Sequence, residues 1–110
     1  MWKNVLIVFL TLFIAGVSYA DKQSELWSWF KDLPKSKEAC EIQSSFMLRK
    51  LNLENQVENK YGIYGNIRSN RVVVKCISIT DDTSKLMVAV AGNDKKSVEL
   101  VRNIIVDSIK

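Results

Sequence analysis

Two cysteines, Cys40 and Cys76, constrain this chain of 110 residues more than any other feature, because its N-terminal sequence predicts export to an oxidising compartment. Two cysteines allow one intramolecular pair, and small exported domains commonly depend on such a crosslink. We therefore predict a disulfide between Cys40 and Cys76. The alternative is a catalytic or metal-binding thiol pair, but the chain has no CxxC spacing and no histidine.

The prediction of an oxidising compartment rests on residues 1–20, which have the organisation of a signal peptide. Lys3 is followed by an apolar run from Val5 to Val17 and by the small-x-small site at Ser18 and Ala20. We expect cleavage before Asp21 and a periplasmic or extracellular location. The alternative, an uncleaved membrane anchor, is disfavoured because the apolar run is shorter than the roughly 20 residues that a spanning helix needs.

The remaining 90 residues are enough for one small domain, and they contain no repeat, low-complexity tract or flexible linker. We divide them into an aromatic leader over residues 21–35 and a single domain over residues 36–110. The leader places Trp27, Trp29 and Phe30 among charged residues. These rings either form an exposed anchor for a partner or a membrane surface, or fold back over an apolar surface of the domain.

Helical periodicity predicts two helices. In the first, over residues 36–51, Ser36 or Asp32 is the candidate N-cap, and the apolar positions are Ala39, Cys40, Ile42, Phe46, Met47 and Leu51. In the second, after Gly92, Asn93 or Asp94 is the candidate N-cap, and the apolar stripe is Val98, Val101, Ile105 and Ile109.

Three segments between the helices, "YGIYGNI", "RVVVKCISI" and "KLMVAVAG", have the β-branched and aromatic content of strands. Short turns join them, which favours an antiparallel meander. The two-residue period places Val72, Val74 and Cys76 on one face of the middle strand, so pairing with Cys40 requires the first helix to lie across that face.

We therefore predict an α+β fold of two layers in the order α-β-β-β-α. A three-stranded antiparallel meander carries both helices on one face and is crosslinked by one disulfide. The polar segment "NLENQVENK" is interpreted as a connection. In the alternative, a split βαβ fold, this segment contains a further strand.

Eight residues carry a resemblance to a family: Cys40, Tyr64, Gly65, Lys75, Cys76, Val90, Ala91 and Gly92. Their order resembles that of a loose group of small exported bacterial proteins of unknown function, which have a helix cysteine, a "VYG...VIRC"-like hairpin and a "VVAGP"-like strand. Asn93 replaces the expected proline, and the turn "RSNR" lacks the expected glycine. The resemblance implies the fold and export, and it implies no activity.

Catalytic, metal and cofactor sites are not predicted. Without histidine, catalysis by Ser/His/Asp or Cys/His groups is excluded, together with the commonest zinc sites. Asp81 and Asp82 lie in a turn, where aspartate is favoured because it bonds to the local backbone.

The candidate partner-binding residues are Tyr64, Arg68, Arg71, Lys75, Trp27 and Trp29. We predict a non-enzymatic binding module that contacts an envelope or extracellular protein through the uncovered sheet face or a free edge strand around Tyr64. The alternative is association with a membrane surface or an anionic polymer through the basic hairpin, which also includes Lys60. Nucleic acid is not an expected partner, because the net charge is only +4 and the chain is predicted to be exported.

Overall fold

A computed structural model describes residues 23–110, so the predicted signal peptide and its cleavage site lie outside the described residues. The elements in chain order are β1 (Glu25–Leu33), α1 (Lys37–Lys50), β2 (Glu54–Asn59), β3 (Gly62–Ile67), β4 (Asn70–Ser78), β5 (Ser84–Gly92) and α2 (Lys95–Ser108).

The five strands form one antiparallel sheet in the order β1-β5-β4-β3-β2. The α+β class, the two helices and the β3-β4-β5 meander are confirmed. The predicted number of three strands is wrong, because each edge of the meander carries one further strand. The split βαβ alternative rightly placed a strand in "NLENQVENK", but every strand pair within residues 23–110 is antiparallel.

β1 lies within the segment predicted as an aromatic leader. It pairs with β5 along its whole length, from Glu25 opposite Gly92 to Leu33 opposite Ser84. Leu33 is buried in the core. Most of this segment is therefore an edge strand of the sheet, and the folded unit begins before residue 36.

β2 is the opposite edge strand, and its sequence is almost entirely polar and exposed. Its pairing with β3 shifts register between Glu54 and Val57, and Asn55 has a φ of 55° within this irregularity. Short, irregular and polar edge strands resist pairing with other chains. The interpretation of this segment as a connection was wrong because an exposed edge strand lacks the apolar alternation by which strands are recognised.

α1 begins at the predicted N-cap, where the Ser36 hydroxyl accepts a hydrogen bond from the Ala39 amide at 3.1 Å. Its buried positions are Cys40, Ser44 and Leu48, which are spaced one turn apart. Two residues of the predicted stripe are not part of this face, since Ile42 is 73% exposed and Phe46 is 56% exposed. Of the other predicted stripe residues, Met47 and Leu51 pack against the core, whereas Ala39 is exposed.

α2 follows its predicted pattern. The Asp94 carboxylate accepts a hydrogen bond from the Ser97 amide at the N-terminus, and the stripe Val98, Val101, Ile105 and Ile109 is buried. The helix has no basic residue in its last turn. Lys31 of β1 supplies that charge, because its ammonium group donates to the carbonyls of Val106 at 3.0 Å and Ile109 at 2.8 Å.

The predicted disulfide between Cys40 and Cys76 is confirmed, with a Cα–Cα distance of 6.0 Å. It joins the first turn of α1 to the middle strand β4. Both helices pack on the same face of the sheet, where one core contains their stripes and the buried side chains of β4 and β5. Both cysteines are buried, so the crosslink lies inside the core.

Candidate functional site

The face of the sheet opposite the helices is not covered by any of residues 23–110. Cross-strand pairing places one row of small and apolar side chains across all five strands, and this central row consists of Ser28, Ala89, Val73, Tyr64 and Val57. We call this side of the sheet the open face. Its members alternate with core residues along each strand, because successive side chains point to opposite faces.

Apolar side chains extend the central row on both sides. Phe30 lies opposite Met87, and Leu26 lies opposite Ala91. Phe30 is 57% exposed and Leu26 is 70% exposed. Contiguous exposed apolar patches on small proteins mark interaction surfaces more often than single exposed residues do.

Tyr64 lies at the centre of β3, where it is opposite Val73 on one side and Val57 on the other. The hypothesis that Tyr64 belongs to a free edge strand is wrong, because β2 occupies that edge. Tyr64 is instead a half-buried ring in the interior of the open face. It can present an apolar ring and a hydroxyl group to a partner, but not an unpaired backbone.

Arg71 and Lys75 lie on the open face on either side of Val73 in β4. Among the described residues, neither side chain forms an ion pair. Other charged groups on this face are Lys85, which is 3.4 Å from the Asp32 carboxylate at the end of β1, and Glu54, which lies opposite Asn66 in the same cross-strand row as Arg71. The open face therefore combines an apolar centre with two unpaired cations.

Arg68 lies beside this surface, in the two-residue turn between β3 and β4. Arg68 and Ser69 have φ values of 49° and 67°, the left-handed pair of a type I′ turn. The buried Asn70 supports the turn by donating to the Arg68 carbonyl at 3.2 Å and to the Ser97 hydroxyl at 2.9 Å. Lys60 lies at the opposite end of β3, so the structure does not bring the predicted basic residues together in one patch.

Trp27 and Trp29 lie on the helix side of β1, opposite Val90 and Val88. The Arg102 guanidinium of α2 is 5.2 Å from the Trp27 ring centroid and 5.7 Å from that of Trp29. Trp27 packs against the core, whereas Trp29 is 53% exposed. The two tryptophans therefore do not share a surface with Tyr64, and Trp27 contributes to packing within the domain.

Sequence reasoning missed Leu26 and Phe30 as members of the open face. The signal was present, because "ELWSWFKDL" places Leu26, Ser28 and Phe30 at a two-residue period. This period was not recognised because Trp27, Trp29 and Phe30 are close in sequence. The three rings were considered as one cluster and not as residues on two faces of a strand.

A groove on the helix side of the sheet was also missed. Its volume is about 490 Å³, and it lies between α1 and the β2-β3 hairpin. It lies there because the two helices pack over β1, β5 and β4. Its lining residues are Lys37, Glu41, Ile42, Ser45, Phe46, Arg49, Glu58, Asn59, Lys60, Gly62, Ile63, Val74, Lys75 and Cys76.

Within residues 23–110, no three histidine, cysteine, aspartate or glutamate side chains are grouped closely enough to hold a metal ion. In the same part of the chain, no helix has the length and apolar content needed to cross a bilayer. Comparison of the chain with protein-family models, with curated proteins and with solved structures finds no match.

Proposed function

We propose that this protein is an exported, non-enzymatic binding module whose open face contacts an envelope or extracellular protein. The observation that carries the proposal is the apolar row centred on Tyr64 and Val73, with Arg71 and Lys75 beside it. A folded monomer gains nothing from leaving such a row in water, whereas a partner that covers it removes apolar surface from solvent.

The charges on the open face indicate the chemistry of the partner surface. Arg71 and Lys75 have no carboxylate partner among residues 23–110. A partner that presents apolar side chains to Tyr64 and Val73, with acidic groups around them, complements both features. Such charges contribute mainly to specificity and to the rate of encounter.

Export is supported by two independent features. Residues 1–20 have the pattern of a signal peptide. The disulfide within a small domain is compatible with an oxidising compartment and uncommon in the cytosol.

Site-specific photocrosslinking in the native host tests the proposed surface. Benzoylphenylalanine at Val73 is expected to give a discrete crosslinked product, and the same group at Leu100 is expected to give none. Leu100 is a matched control because it is an exposed apolar residue of α2, 47% accessible and on the other side of the protein. Tyr64→Ala and Arg71→Glu should each weaken the Val73 product. Equal crosslinking from both positions, or none from Val73, would reject the proposal.

A second candidate function is association with an anionic surface, and the positions of Arg68, Arg71 and Lys75 favour it. Arg71 and Lys75 share the open face, and Arg68 lies exposed in the adjoining turn. Binding to phosphatidylglycerol vesicles should then fall steeply between low and physiological salt, because exposed charges are screened. Salt-independent binding, or no binding at low salt, would contradict this alternative.

A further inference from the structure

The groove between α1 and the β2-β3 hairpin has the size of a ligand site. Its volume of about 490 Å³ lies within the range of roughly 300–1,000 Å³ that is typical of small-molecule sites. It lies on the helix side of the sheet and adjoins the open face at Lys75, which belongs to both surfaces.

One wall of the groove is a face of α1 that does not contribute to the core. Ile42 and Phe46 lie on it one turn apart and are both largely exposed. The wall runs from Lys37 to Arg49, which corresponds to about 18 Å along a helix that rises 1.5 Å per residue. The groove is therefore long and narrow, with its two large apolar side chains in the middle.

The floor of the groove is apolar as well. It consists of Ile63 of β3, Val74 of β4 and the disulfide-bonded Cys76. The side chains of these three residues offer no strong hydrogen-bonding group to an occupant. A peptide would bring polar backbone groups over this floor, at a free-energy cost that an unbranched hydrocarbon chain avoids.

The charges around the groove are unbalanced. Lys37 and Glu41 are paired at 3.7 Å, and Glu58 accepts a hydrogen bond from the Gln56 amide at 3.1 Å. Arg49, Lys60 and Lys75 form no ion pair with any of residues 23–110, and neither does Glu58. The groove therefore presents three unpaired cations against one unpaired carboxylate, beside an apolar interior.

We propose that this groove binds a single-chain anionic amphiphile of the fatty-acid type. The hydrocarbon chain lies along Ile42 and Phe46, whose exposed apolar surface it removes from water, and over the largely buried Ile63 of the floor. The carboxylate lies at the rim, where Arg49 and Lys60 supply the positive charge that it needs.

Titration of the full-length oxidised protein with dodecanoate below its micelle concentration, followed by methyl NMR, tests this site. Saturable shifts are expected at Ile42, Ile63 and Val74. Hexanoate should bind at least ten-fold more weakly, because its shorter chain buries fewer methylenes. Dodecyltrimethylammonium, which has the same chain and the opposite charge, should also bind about ten-fold more weakly.

Variants at exposed positions locate the site without disturbing the core. Phe46→Asn should weaken dodecanoate binding about ten-fold, since it removes the largest apolar side chain of the wall. Arg49→Glu combined with Lys60→Glu should abolish the preference for the anion. The matched controls are Leu100→Asn within α2 and Lys110→Glu after it, and both should leave binding unchanged.

Three results would overturn the proposal. They are dodecanoate shifts confined to open-face residues such as Val73 and Met87, equal affinity for the anionic and cationic amphiphiles, and unaltered binding by Phe46→Asn. Each variant is first checked for the wild-type circular dichroism spectrum and for an intact disulfide, so that loss of binding is not confused with loss of folding.

Discussion

Leu53 packs over Gly65, so closely that a Cβ atom at Gly65 would lie 2.5 Å from Leu53 Cγ and 2.8 Å from the Glu54 carbonyl oxygen. Gly65 is in the interior strand β3, on the face that supports the helices. The absence of a side chain at this position allows the segment that leaves α1 to lie flat against the sheet. This contact fixes where β2 begins, and hence one wall of the groove.

Gly65→Ala should therefore destabilise the fold by about 1–3 kcal/mol, the usual consequence of overpacking a close contact. Part of the clash involves the Glu54 backbone, which cannot move as a side chain can. Denaturant unfolding measures the change. In the double variant with Leu53→Ala, the loss should be smaller than the sum of the two single losses, because one of the colliding groups is gone. Strict additivity would contradict the role of Leu53.

The disulfide should contribute about 4 kcal/mol to the free energy of unfolding, because it closes a loop with a sequence separation of 36. Replacing both Cys40 and Cys76 by alanine removes this contribution. A reductant should lower the unfolding midpoint of the wild type toward that of the variant and leave the variant itself unchanged. Ser44→Ala is the control. Among residues 23–110, the hydrogen-bond partners of the Ser44 hydroxyl are only the two sulfurs, at 3.9 and 3.6 Å, so its loss should have little effect.

The interior of the fold could be predicted from the sequence, and its edges could not. Val72, Val74 and Cys76 alternate because one side of β4 is in the core, so burial leaves a pattern that can be recognised. β2 is exposed, and exposed positions impose no such alternation. In β1 the alternation is present but both faces carry large apolar residues, because Trp29 and Phe30 lie on opposite sides of the sheet.

The candidate sites depend on information that a single sequence does not contain. Ile42 and Phe46 have the spacing of core residues, and only the position of α1 over β4 shows that they face the groove. Tyr64 and Arg71 were identified by residue type, but their common face depends on the strand register. Residue type and local period therefore identified the candidates, whereas tertiary packing determines which of them share a surface.

Ser69→Gly should stabilise the protein by about 1 kcal/mol, since Ser69 is held at a φ of 67° that glycine adopts without a steric penalty. The type I′ turn normally has glycine at this position. Ser69→Ala is the matched control and should bring no gain, because alanine keeps the Cβ atom. Thermal unfolding of the three proteins measures the difference. An equal gain from alanine would mean that the backbone conformation is not the cause.

Ser78 and Ser84 lie opposite each other at the ends of β4 and β5, and their hydroxyl groups have different surroundings. The Ser84 hydroxyl is buried and has no hydrogen-bond partner among residues 23–110, whereas the exposed Ser78 hydroxyl donates to the Thr80 carbonyl at 3.3 Å. Ser84→Ala should therefore raise the free energy of unfolding by about 1 kcal/mol, because it removes a polar group that was desolvated without compensation. Ser78→Ala should leave it unchanged or lower it slightly. Denaturant titration of the two variants measures both changes, and a loss of stability in Ser84→Ala would mean that the Ser84 hydroxyl has a partner in solution.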